Sequence, residues 1–547
     1  MTVLSPPGAA AALAASPDRP VPGWEGREGG LLAEALVARI AARTARVGVV
    51  GLGYAGLPLA LRFAECGFPV SGFDIDAEKV AAIAAGRSPV HGIPDGRVAA
   101  ARIAASADPA GAWACDVLII CVPTPIGRHK EPDLGPVSAA LAALLPHLRP
   151  GQVLALESTT YPGTTEEYVL PALRAAGLTP GRDAFVLYSP EREDPGNPEG
   201  TVGRVPKLLG GATPTCLAVG QALYGPVAGP LVPVSSLQVA ELAKLYENVF
   251  RAVNIGLVNE LKRISHALGL DVHEVIDAAA TKPFGFMPFR PGPGLGGHCI
   301  PVDPYYLAWK ARELGVPSDF VELAGRVNDA MPGYVVSRLR DALDARGRGL
   351  RGARLLLVGL AYKPGVPDTR ESPAAEILRL LDERGAVLSY HDPLVPRFSL
   401  ARGGRGALAL ESQPLAPDLV AAQDAVVVVT PQPGIDFAAL RAAARLVVDT
   451  RGIYRDAAVQ PDGTVFPGSV SPGSVSPGSV SPGSVSPGSV SPDSVSPGSS
   501  PSAAWPSGAL CPGTPPSGGF SLGTLPFETR GDFPPRAEPA YHRVIQA

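Results

Sequence analysis

The chain has 547 residues, of which 46% are hydrophobic, so it is long enough for two or three domains with large cores. Its formal net charge is −4, without the clustered basic face of a nucleic-acid partner, and it lacks the 18-residue apolar run needed for membrane insertion. The six cysteines show no C-x-x-C pair and no zinc-ligand spacing with histidine, so we expect free thiols, a cytoplasmic location and no metal.

Predicted elements fall into a clear order along the chain. Residues 1–44 predict a poorly ordered extension, with at most a helix over 31–43. From residue 45, short β-branched runs alternate with Ala- and Leu-rich stretches, which is typical of βαβ units around a parallel sheet. A Pro-free stretch from Ser236 to Leu268 predicts one helix about 45 Å long, suited to joining two lobes or forming a homodimer.

The alternation resumes at Ala353 and ends near Tyr454, after which the unit Pro-Gly-Ser-Val-Ser recurs from Pro467. Such a composition buries no core and predicts disorder. The expected fold class is α/β, with two Rossmann-like doubly wound lobes joined by a long central helix and with disordered N- and C-terminal extensions. The sequence predicts five regions: the extension (1–44), a dinucleotide-binding lobe (45–235), a central helical domain (236–335), a second lobe (336–457) and the repeat tail (458–547).

A G-x-G-x-x-G pattern, formed by Gly51, Gly53 and Gly56, directly follows a predicted strand and opens a helix. These glycines permit a tight turn, close approach of a pyrophosphate and helix–strand packing, with the helix N-terminus facing the phosphate charge. The next strand ends in Asp74, where a carboxylate accepts from a ribose hydroxyl and repels a 2′-phosphate. The pattern therefore predicts NAD rather than NADP, with Lys79 beside the adenosine.

Hydroxyl side chains follow two further strands, at Thr124 and at Ser158 and Thr159. Carboxyl ends of strands in open α/β sheets bind ligands, so we expect these residues to line the cofactor cleft. Lys244 and Asn248 stand one helical turn apart and can stabilise an oxyanion together. An ordinary amphipathic helix explains that spacing equally well.

The stretch Gly-Pro-Gly-Leu-Gly-Gly-His-Cys-Ile-Pro-Val-Asp, ending at Asp303, places a cysteine directly after a run of glycines. Glycines let the backbone approach a ligand and supply N–H donors, and a thiolate in that setting can attack a carbonyl carbon. Cys299 is therefore the candidate nucleophile. Asp303, four residues on, is a candidate for orientation or proton transfer.

Together, in this order, these segments resemble the UDP-glucose/GDP-mannose dehydrogenase family over about residues 45–455. The cysteine loop and the segment Tyr-Ser-Pro-Glu-Arg-Glu-Asp-Pro-Gly-Asn over 188–197 are similar to its branch that acts on UDP-N-acetylhexosamines. The resemblance implies oxidation of the C6 alcohol to a carboxylate with two NAD⁺, through a thiohemiacetal and a thioester on Cys299. The acidic product suggests a supply of sugars for a surface polysaccharide.

The resemblance also implies roles for individual residues. Lys244 and Asn248 would stabilise the C6 oxygen, and Asp303 would support proton transfer. Glu191 would be a general base, with Thr159 helping to place water. In the family the second lobe binds the UDP moiety, whose diphosphate suits Lys and Arg partners. The residues expected to bind the UDP-sugar are Arg192, Arg290, Gly296, Gly297, Tyr362, Lys363 and Arg451.

Two other readings of the residues stay open. A β-hydroxyacid-type dehydrogenase shares the first lobe and a helix with Lys and Asn, but it needs neither Cys299 nor a second lobe over 353–454. A non-catalytic nucleotide-sugar sensor would use the same fold, although the proposed chemical residues are all present. Among substrates, similarity of the cysteine loop favours UDP-N-acetylglucosamine, with UDP-N-acetylmannosamine and UDP-glucose as alternatives. Arg370 is expected to act structurally at a helix start.

Overall fold

The computed structural model describes residues 27–127, 129–192, 203–297, 299–402, 406–455 and 544–546. The α-helices in these ranges are α1 (Arg27–Ala41), α2 (Gly56–Glu65), α3 (Ala77–Ala84), α4 (Asp95–Ala101), α5 (Gly135–Leu144), α6 (Leu170–Ala175), α7 (Pro214–Tyr224), α8 (Leu237–Ala267), α9 (Val272–Ala280), α10 (Asp303–Glu313), α11 (Asp319–Asp329), α12 (Met331–Asp344), α13 (Pro373–Glu383), α14 (Pro417–Ala421) and α15 (Phe437–Ala443). The strands are β1 (Val47–Val50), β2 (Val70–Phe73), β3 (Ala104–Ser106), β4 (Val117–Ile120), β5 (Gln152–Leu156), β6 (Ala184–Tyr188), β7 (Lys207–Gly211), β8 (Leu231–Pro233), β9 (Arg354–Val358), β10 (Val387–His391), β11 (Arg397–Ala401), β12 (Ala407–Glu411), β13 (Ala425–Val428), β14 (Val447–Asp449) and β15 (Val544–Gln546).

The first lobe is built on a sheet in the order β3-β2-β1-β4-β5-β6-β7-β8. The first six strands in this order, β3, β2, β1, β4, β5 and β6, are parallel to one another. Strand β7 pairs with β6 in the antiparallel sense. Helices cover both faces of the parallel part, so strands β2, β4, β5 and β6 are buried along their whole length rather than at alternate residues. The predicted doubly wound α/β architecture is confirmed for this lobe.

Helix α1 belongs to the first lobe. Its Ala33, Leu36 and Ile40 are at most 1% exposed and pack into the core of that lobe. Their spacing of three and four residues puts them on one helix face, which is the pattern of a docked amphipathic helix. The structure therefore differs from the expected boundary at residue 45, because the described part of the extension is ordered. Residues 1–26 lie outside the described residues.

The second lobe has a smaller parallel sheet in the order β10-β9-β13-β14-β15, with β11 and β12 forming a separate hairpin. Its core lies between this sheet and its helices, and includes Leu355, Leu357 and Val427. Strand β15 comes from the end of the tail that was expected to be disordered, so the structure differs from the prediction for these three residues. The repeat segment lies outside the described residues.

Helix α8 is the long helix predicted between the lobes. Ser236 begins it by accepting a hydrogen bond from the Val239 amide at 3.2 Å, and it runs for 31 residues. Glu241 fixes its first part to the first lobe, because this buried carboxylate accepts from the amides of Gly163 and Thr165 at 2.6 and 2.9 Å. Among the described helices, none combines the length and the apolar character needed to cross a bilayer.

Candidate active site

The turn between β1 and α2 has the geometry of a dinucleotide phosphate site. Gly51 has φ +90°, and a Cβ atom there would lie 2.8 Å from the carbonyl oxygen of Cys121. A Cβ atom at Gly56 would lie 1.8 Å from the carbonyl oxygen of Gly51. At Gly53, by contrast, a Cβ atom would meet nothing within 4 Å. The outer glycines are therefore required by the backbone, and the middle one leaves open space where a pyrophosphate fits.

Asp74 holds this turn in shape. Its Oδ2 accepts from the Leu52 amide at 2.8 Å, and its Oδ1 accepts from the Asp76 amide at 2.9 Å. Lys79 lies 3.7 Å from Asp74 Oδ2 and the same distance from Asp76 Oδ2. Each carboxylate oxygen has a further lone pair, so the predicted bond to a ribose hydroxyl remains compatible with this arrangement. The role in fixing the glycine turn was not predicted.

The corresponding turn of the second lobe, after β9, is held in the same way, although it lacks the full glycine pattern. A Cβ atom at Gly359 would lie 1.9 Å from the Thr430 carbonyl oxygen, so this turn also requires glycine. The amides of Leu360 and Ala361 donate to Asp392 Oδ2 at 2.8 and 3.0 Å. Asp392 was missed by the sequence analysis, although, like Asp74, it directly follows the second strand of its lobe.

The hydroxyl residues predicted at the carboxyl edge of the first sheet do meet there. Thr124 Oγ1 donates to the Thr159 carbonyl at 2.7 Å, and Ser158 Oγ donates to the Val122 carbonyl at 2.7 Å. These bonds tie the turn after β4 to the turn after β5. They fix the position of both turns beside the cofactor cleft.

Cys299 lies just before α10, whose first residue is Asp303. The amides of Val302 and Asp303 donate to the Cys299 carbonyl at 3.0 and 2.8 Å, which starts the helix immediately after the cysteine. Asn248, on α8, donates from Nδ2 to Asp303 Oδ2 at 2.5 Å, and both side chains are buried. Lys244, one turn earlier on α8, is 8% exposed. The structure thus brings Cys299 together with the three residues predicted to act beside it.

Burial dominates the electrostatics of this group. It raises the pKa of Cys299 to about 12, with Asp303 adding to the rise and Lys244, Arg370 and Arg251 opposing it. Burial also raises the pKa of Asp303 to about 6, against the opposing effects of Lys244 and Asn248. At neutral pH the protein therefore holds a neutral thiol close to a largely ionised carboxylate, which is a pair suited to proton transfer during nucleophilic attack.

Glu191 follows β6 and is held at both oxygens. Its Oε1 accepts from the Arg192 amide at 2.6 Å, and its Oε2 lies 3.9 Å from Lys207 Nζ. The Arg192 guanidinium pairs with Glu247 of α8 at 2.6 Å and donates to the Pro206 carbonyl. Lys207 was not singled out from the sequence, where its only signal is a cation opening an apolar strand.

The glycine-rich loop before Cys299 packs against the second lobe. Cβ atoms at Gly296 and Gly297 would lie 2.7 and 2.9 Å from the side chain of Tyr362, so only glycine allows this approach. A Cβ atom at Gly292 would lie 2.5 Å from Arg451 Nη1. Of the predicted substrate residues, Gly296 and Gly297 therefore meet Tyr362, and Arg451 approaches the same loop at Gly292. Lys363 is next to Tyr362 in the chain.

Arg451 is fixed by its own lobe. Its Nε donates to the Val429 carbonyl at 2.9 Å, and burial lowers its pKa to about 10. Arg290, another predicted substrate residue, pairs instead with Asp277 of α9, which Arg455 also contacts at 2.7 Å. In this structure Arg290 is therefore engaged by α9 rather than by the residues around Cys299.

Arg370 lies just before the start of α13 at Pro373, as expected, but its contacts extend beyond that helix start. Its guanidinium lies 5.4 Å from the centre of the Tyr54 ring, in the glycine turn of the first lobe, and pairs with Asp368 at 2.6 Å. Its carbonyl also accepts from the Gly297 amide at 3.2 Å. Arg370 therefore connects the second lobe with both the cofactor turn and the cysteine loop. The sequence pattern around Pro373 gave no sign of this contact.

Two further features of the described residues bear on the site. No group of three or more His, Cys, Asp or Glu side chains there is arranged to hold a metal ion. A cavity of about 540 Å³ lies between the cysteine loop, the α11–α12 junction and the β11–β12 hairpin, with Leu295, Pro301 and Phe398 in its wall. The lining of this cavity includes none of the residues predicted to be catalytic or to bind the cofactor or the substrate. We therefore place the candidate active site at the side chains around Cys299.

Comparison with known families gives matches to three consecutive models of one family. They describe the NAD binding domain, the central domain and the UDP binding domain of the UDP-glucose/GDP-mannose dehydrogenase family, and they match residues 45–228, 238–330 and 356–456. The three matches cover the two lobes and the segment between them.

Individual relatives carry similar descriptions. The chain is 40% identical to UDP-N-acetyl-D-glucosamine 6-dehydrogenase of Pseudomonas aeruginosa over 353 residues, covering 64% of this chain and 83% of the relative. It is 31% identical to UDP-N-acetyl-D-mannosamine dehydrogenase of Pyrococcus horikoshii over 435 residues, covering 77% and 98%. A solved structure of a UDP-D-ManNAc dehydrogenase from Pyrococcus horikoshii superposes with a TM-score of 0.68 at 30% identity, covering 75% of this chain and 96% of that one.

Proposed function

The chain belongs to the UDP-glucose/GDP-mannose dehydrogenase family and is an NAD-dependent nucleotide-sugar 6-dehydrogenase of the UDP-N-acetylhexosamine type, and we propose that its substrate is UDP-N-acetylglucosamine. The observation that carries the choice of sugar is the 40% identity to the enzyme of that description from Pseudomonas aeruginosa. A second relative of the same description, from Salmonella typhi, is 35% identical. The mannosamine epimer is the second candidate, favoured by the Pyrococcus horikoshii relative.

In the proposed reaction the C6 alcohol becomes a carboxylate in two oxidations. NAD⁺, which the turn of Gly51, Gly53 and Asp74 would hold, would supply the hydride acceptor for both oxidations. Lys244 and Asn248 hold the C6 oxygen, since Asn248 Nδ2 has a second N–H beyond the one it donates to Asp303. Both side chains are buried, so water does not compete strongly for these donors.

Cys299 carries the carbon between the two oxidations. Its sulfur adds to the aldehyde carbon, and its proton passes to Asp303, whose pKa of about 6 leaves the carboxylate ionised at neutral pH. The resulting thiohemiacetal is oxidised to a thioester. Glu191 then takes a proton from the water that attacks this thioester, and Asp303 returns its proton to the departing Cys299 sulfur, so the thiol leaves as the acid forms. The covalent link keeps the reactive aldehyde in the site while the reduced cofactor is exchanged.

The second lobe would hold the UDP moiety. Arg451 is fixed beside Gly292, and Tyr362 packs on Gly296 and Gly297, so UDP bound here would be placed directly against the cysteine loop. The family model that matches residues 356–456 is described as a UDP binding domain, which supports this assignment. Lys363 and Arg192 are further proposed contacts.

Helix α8 is the proposed dimer interface. It exposes an apolar stripe in which Leu242, Tyr246 and Phe250 recur every four residues, followed by Leu257 and Ile264. Tyr246 is 65% exposed and Leu257 is 64% exposed. A stripe of this length on a monomer is unusual and favours association, and the same face on a second copy would cover it.

A cytoplasmic role in supplying acidic sugars for a surface polysaccharide remains part of the proposal. The described cysteines are all free thiols, as expected in a reducing compartment.

The test of the substrate is NADH formation, measured at 340 nm, with a panel of UDP-sugars. We expect UDP-N-acetylglucosamine to give the highest kcat/KM and two NADH per sugar. A higher kcat/KM with UDP-N-acetylmannosamine or UDP-glucose would overturn the choice of sugar. A stoichiometry of one NADH per sugar would overturn oxidation to the carboxylate.

A further inference from the structure

A cluster of buried polar side chains lies behind Glu191. Lys207 Nζ lies 2.9 Å from Glu157 Oε2, and the two side chains are 5% and 1% exposed. Tyr224 donates from its hydroxyl to Glu157 Oε1 at 2.6 Å, and Lys207 Nζ lies 5.2 Å from the centre of its ring. Lys207 Nζ also lies 3.9 Å from Glu191 Oε2. Lys207 therefore joins a fully buried carboxylate to the proposed general base.

The reversal of one strand puts Lys207 there. In a parallel sheet the residues after β5 and β6 emerge at the carboxyl edge, and these are Glu157 and the segment leading to Glu191. Strand β7 runs antiparallel to β6, so its first residue, Lys207, lies at that same edge. Ser189 Oγ donates to the Leu208 carbonyl at 2.8 Å, which ties the segment before Glu191 to the start of β7.

The buried Lys207–Glu157 ion pair is not explained by stability alone. Burying an ammonium and a carboxylate removes both from water, and an apolar pair of similar volume often stabilises a fold at least as well. Although burial opposes its charge, Glu157 and Glu191 raise the pKa of Lys207, so the ammonium stays protonated at neutral pH. Tyr224 and Lys207 together satisfy both Glu157 oxygens, which leaves Lys207 anchored from behind with further N–H donors to offer.

We propose that Lys207, anchored by Glu157 and Tyr224, positions the Glu191 carboxylate for hydrolysis of the Cys299 thioester, an inference that rests on the proposed function. Arg192 N fixes one carboxylate oxygen at 2.6 Å, and Lys207 attracts the other. With both oxygens constrained, the carboxylate keeps one orientation toward the attacking water. Lys207 is 5% exposed and acts through Glu191, so it is a positioning residue for the last step alone.

The test separates acylation from hydrolysis in Lys207→Met and in the double variant Lys207→Met/Glu157→Gln. The double variant removes both buried charges, so it leaves neither one unpaired if the single variant folds poorly. Each full-length enzyme is mixed rapidly with saturating NAD⁺ and UDP-N-acetylglucosamine, and NADH is followed before and during steady state. Acid-quenched samples are examined by mass spectrometry for the Cys299 adduct.

We expect both variants to form the first two NADH per site at near wild-type rate and then to accumulate the thioester. Their steady-state rate should fall by about 10-fold to 100-fold, the scale of a misplaced catalytic group. The inference is overturned if the burst and the steady state fall together, or if the double variant turns over at the wild-type rate. If the Glu191→Gln variant, in which hydrolysis should be slowed while Lys207 is unchanged, gives no Cys299 adduct, the proposed covalent route fails instead.

Discussion

Asn248 Nδ2 lies 2.5 Å from Asp303 Oδ2, so the long helix α8 and the helix that follows the cysteine loop meet through one buried hydrogen bond. This bond fixes the carboxylate beside Cys299 and leaves Lys244 on the same face of α8. Because burial raises the pKa of Asp303 to about 6, its protonation state changes just below neutral pH.

Asp303→Asn should lower kcat by about 100-fold or more, since the amide keeps the shape but accepts no proton. In the wild type, kcat should fall as pH drops through about 6, where the carboxylate becomes protonated. That acidic limb should be absent from the kcat–pH profile of the variant. An unchanged limb near pH 6 would assign it to another group.

Asp74→Asn should weaken NAD binding and its preference over NADP, because the carboxylate both holds the glycine turn and repels a 2′-phosphate. We expect KM for NAD⁺ to rise about 10-fold, the scale of one lost hydrogen bond to a charged group, and the NAD/NADP ratio of kcat/KM to fall. Asp392→Asn is the matched control, since Asp392 closes the equivalent turn of the second lobe. It should lower Tm without changing the cofactor ratio. Equal cofactor ratios in wild type and Asp74→Asn would contradict this role.

Arg451→Leu should raise KM for the UDP-sugar by 10-fold or more and weaken binding of UDP in calorimetry, while KM for NAD⁺ stays unchanged. The control is Arg397→Leu, which removes a cation of the same lobe whose side chain is 86% exposed. UDP binding that is equally tight in both variants would place the diphosphate elsewhere.

Tyr246→Glu or Leu257→Glu should convert a homodimer to a monomer, because each places a charge in the exposed apolar stripe of α8. Light scattering coupled to size-exclusion chromatography measures the mass directly. Val387→Glu, at an exposed apolar position of the second lobe, should leave the mass unchanged. A wild-type monomer at micromolar concentration would exclude this interface.

Lys262 offers a test of stability against pH. It is buried on α8, donates to the Thr450 carbonyl at 3.3 Å, and burial lowers its pKa to about 7. Between pH 7 and its ordinary value of 10.5 the unfolded chain therefore binds more protons at this group than the folded chain does. Its contribution to the free energy of unfolding rises with pH across that window. Lys262→Met should reduce the increase of Tm between pH 7 and 10, and an unreduced increase would argue against a depressed pKa.

Local signals in the sequence were sufficient for much of the fold and part of the site. The glycine pattern at Gly51 and the apolar strand runs follow from backbone geometry and burial, which act over short stretches. Cys299 could be singled out because it follows a run of glycines, which lets the backbone approach a ligand closely. The long helix was visible because Ser236 caps a stretch without proline.

Contacts between distant segments were beyond the sequence analysis. The docking of α1 depends on a surface of the first lobe, so its amphipathic pattern alone did not place it in the core. The Lys207–Glu157 pair depends on the reversed direction of β7, and Arg370 reaches Tyr54 only once the two lobes are assembled. Each joins residues far apart in the chain, where spacing carries no information.

We propose that Cys299 carries the sugar as a covalent thioester between the second oxidation and hydrolysis. Its most direct test is mass spectrometry of the Cys299 peptide from acid-quenched turnover with UDP-N-acetylglucosamine and NAD⁺, compared with the Cys299→Ser variant. We expect the mass of the oxidised nucleotide sugar on Cys299 in the wild type, with two NADH per sugar, and loss of the complete oxidation in the variant. Turnover of Cys299→Ser at the full rate, with two NADH per sugar, would contradict it.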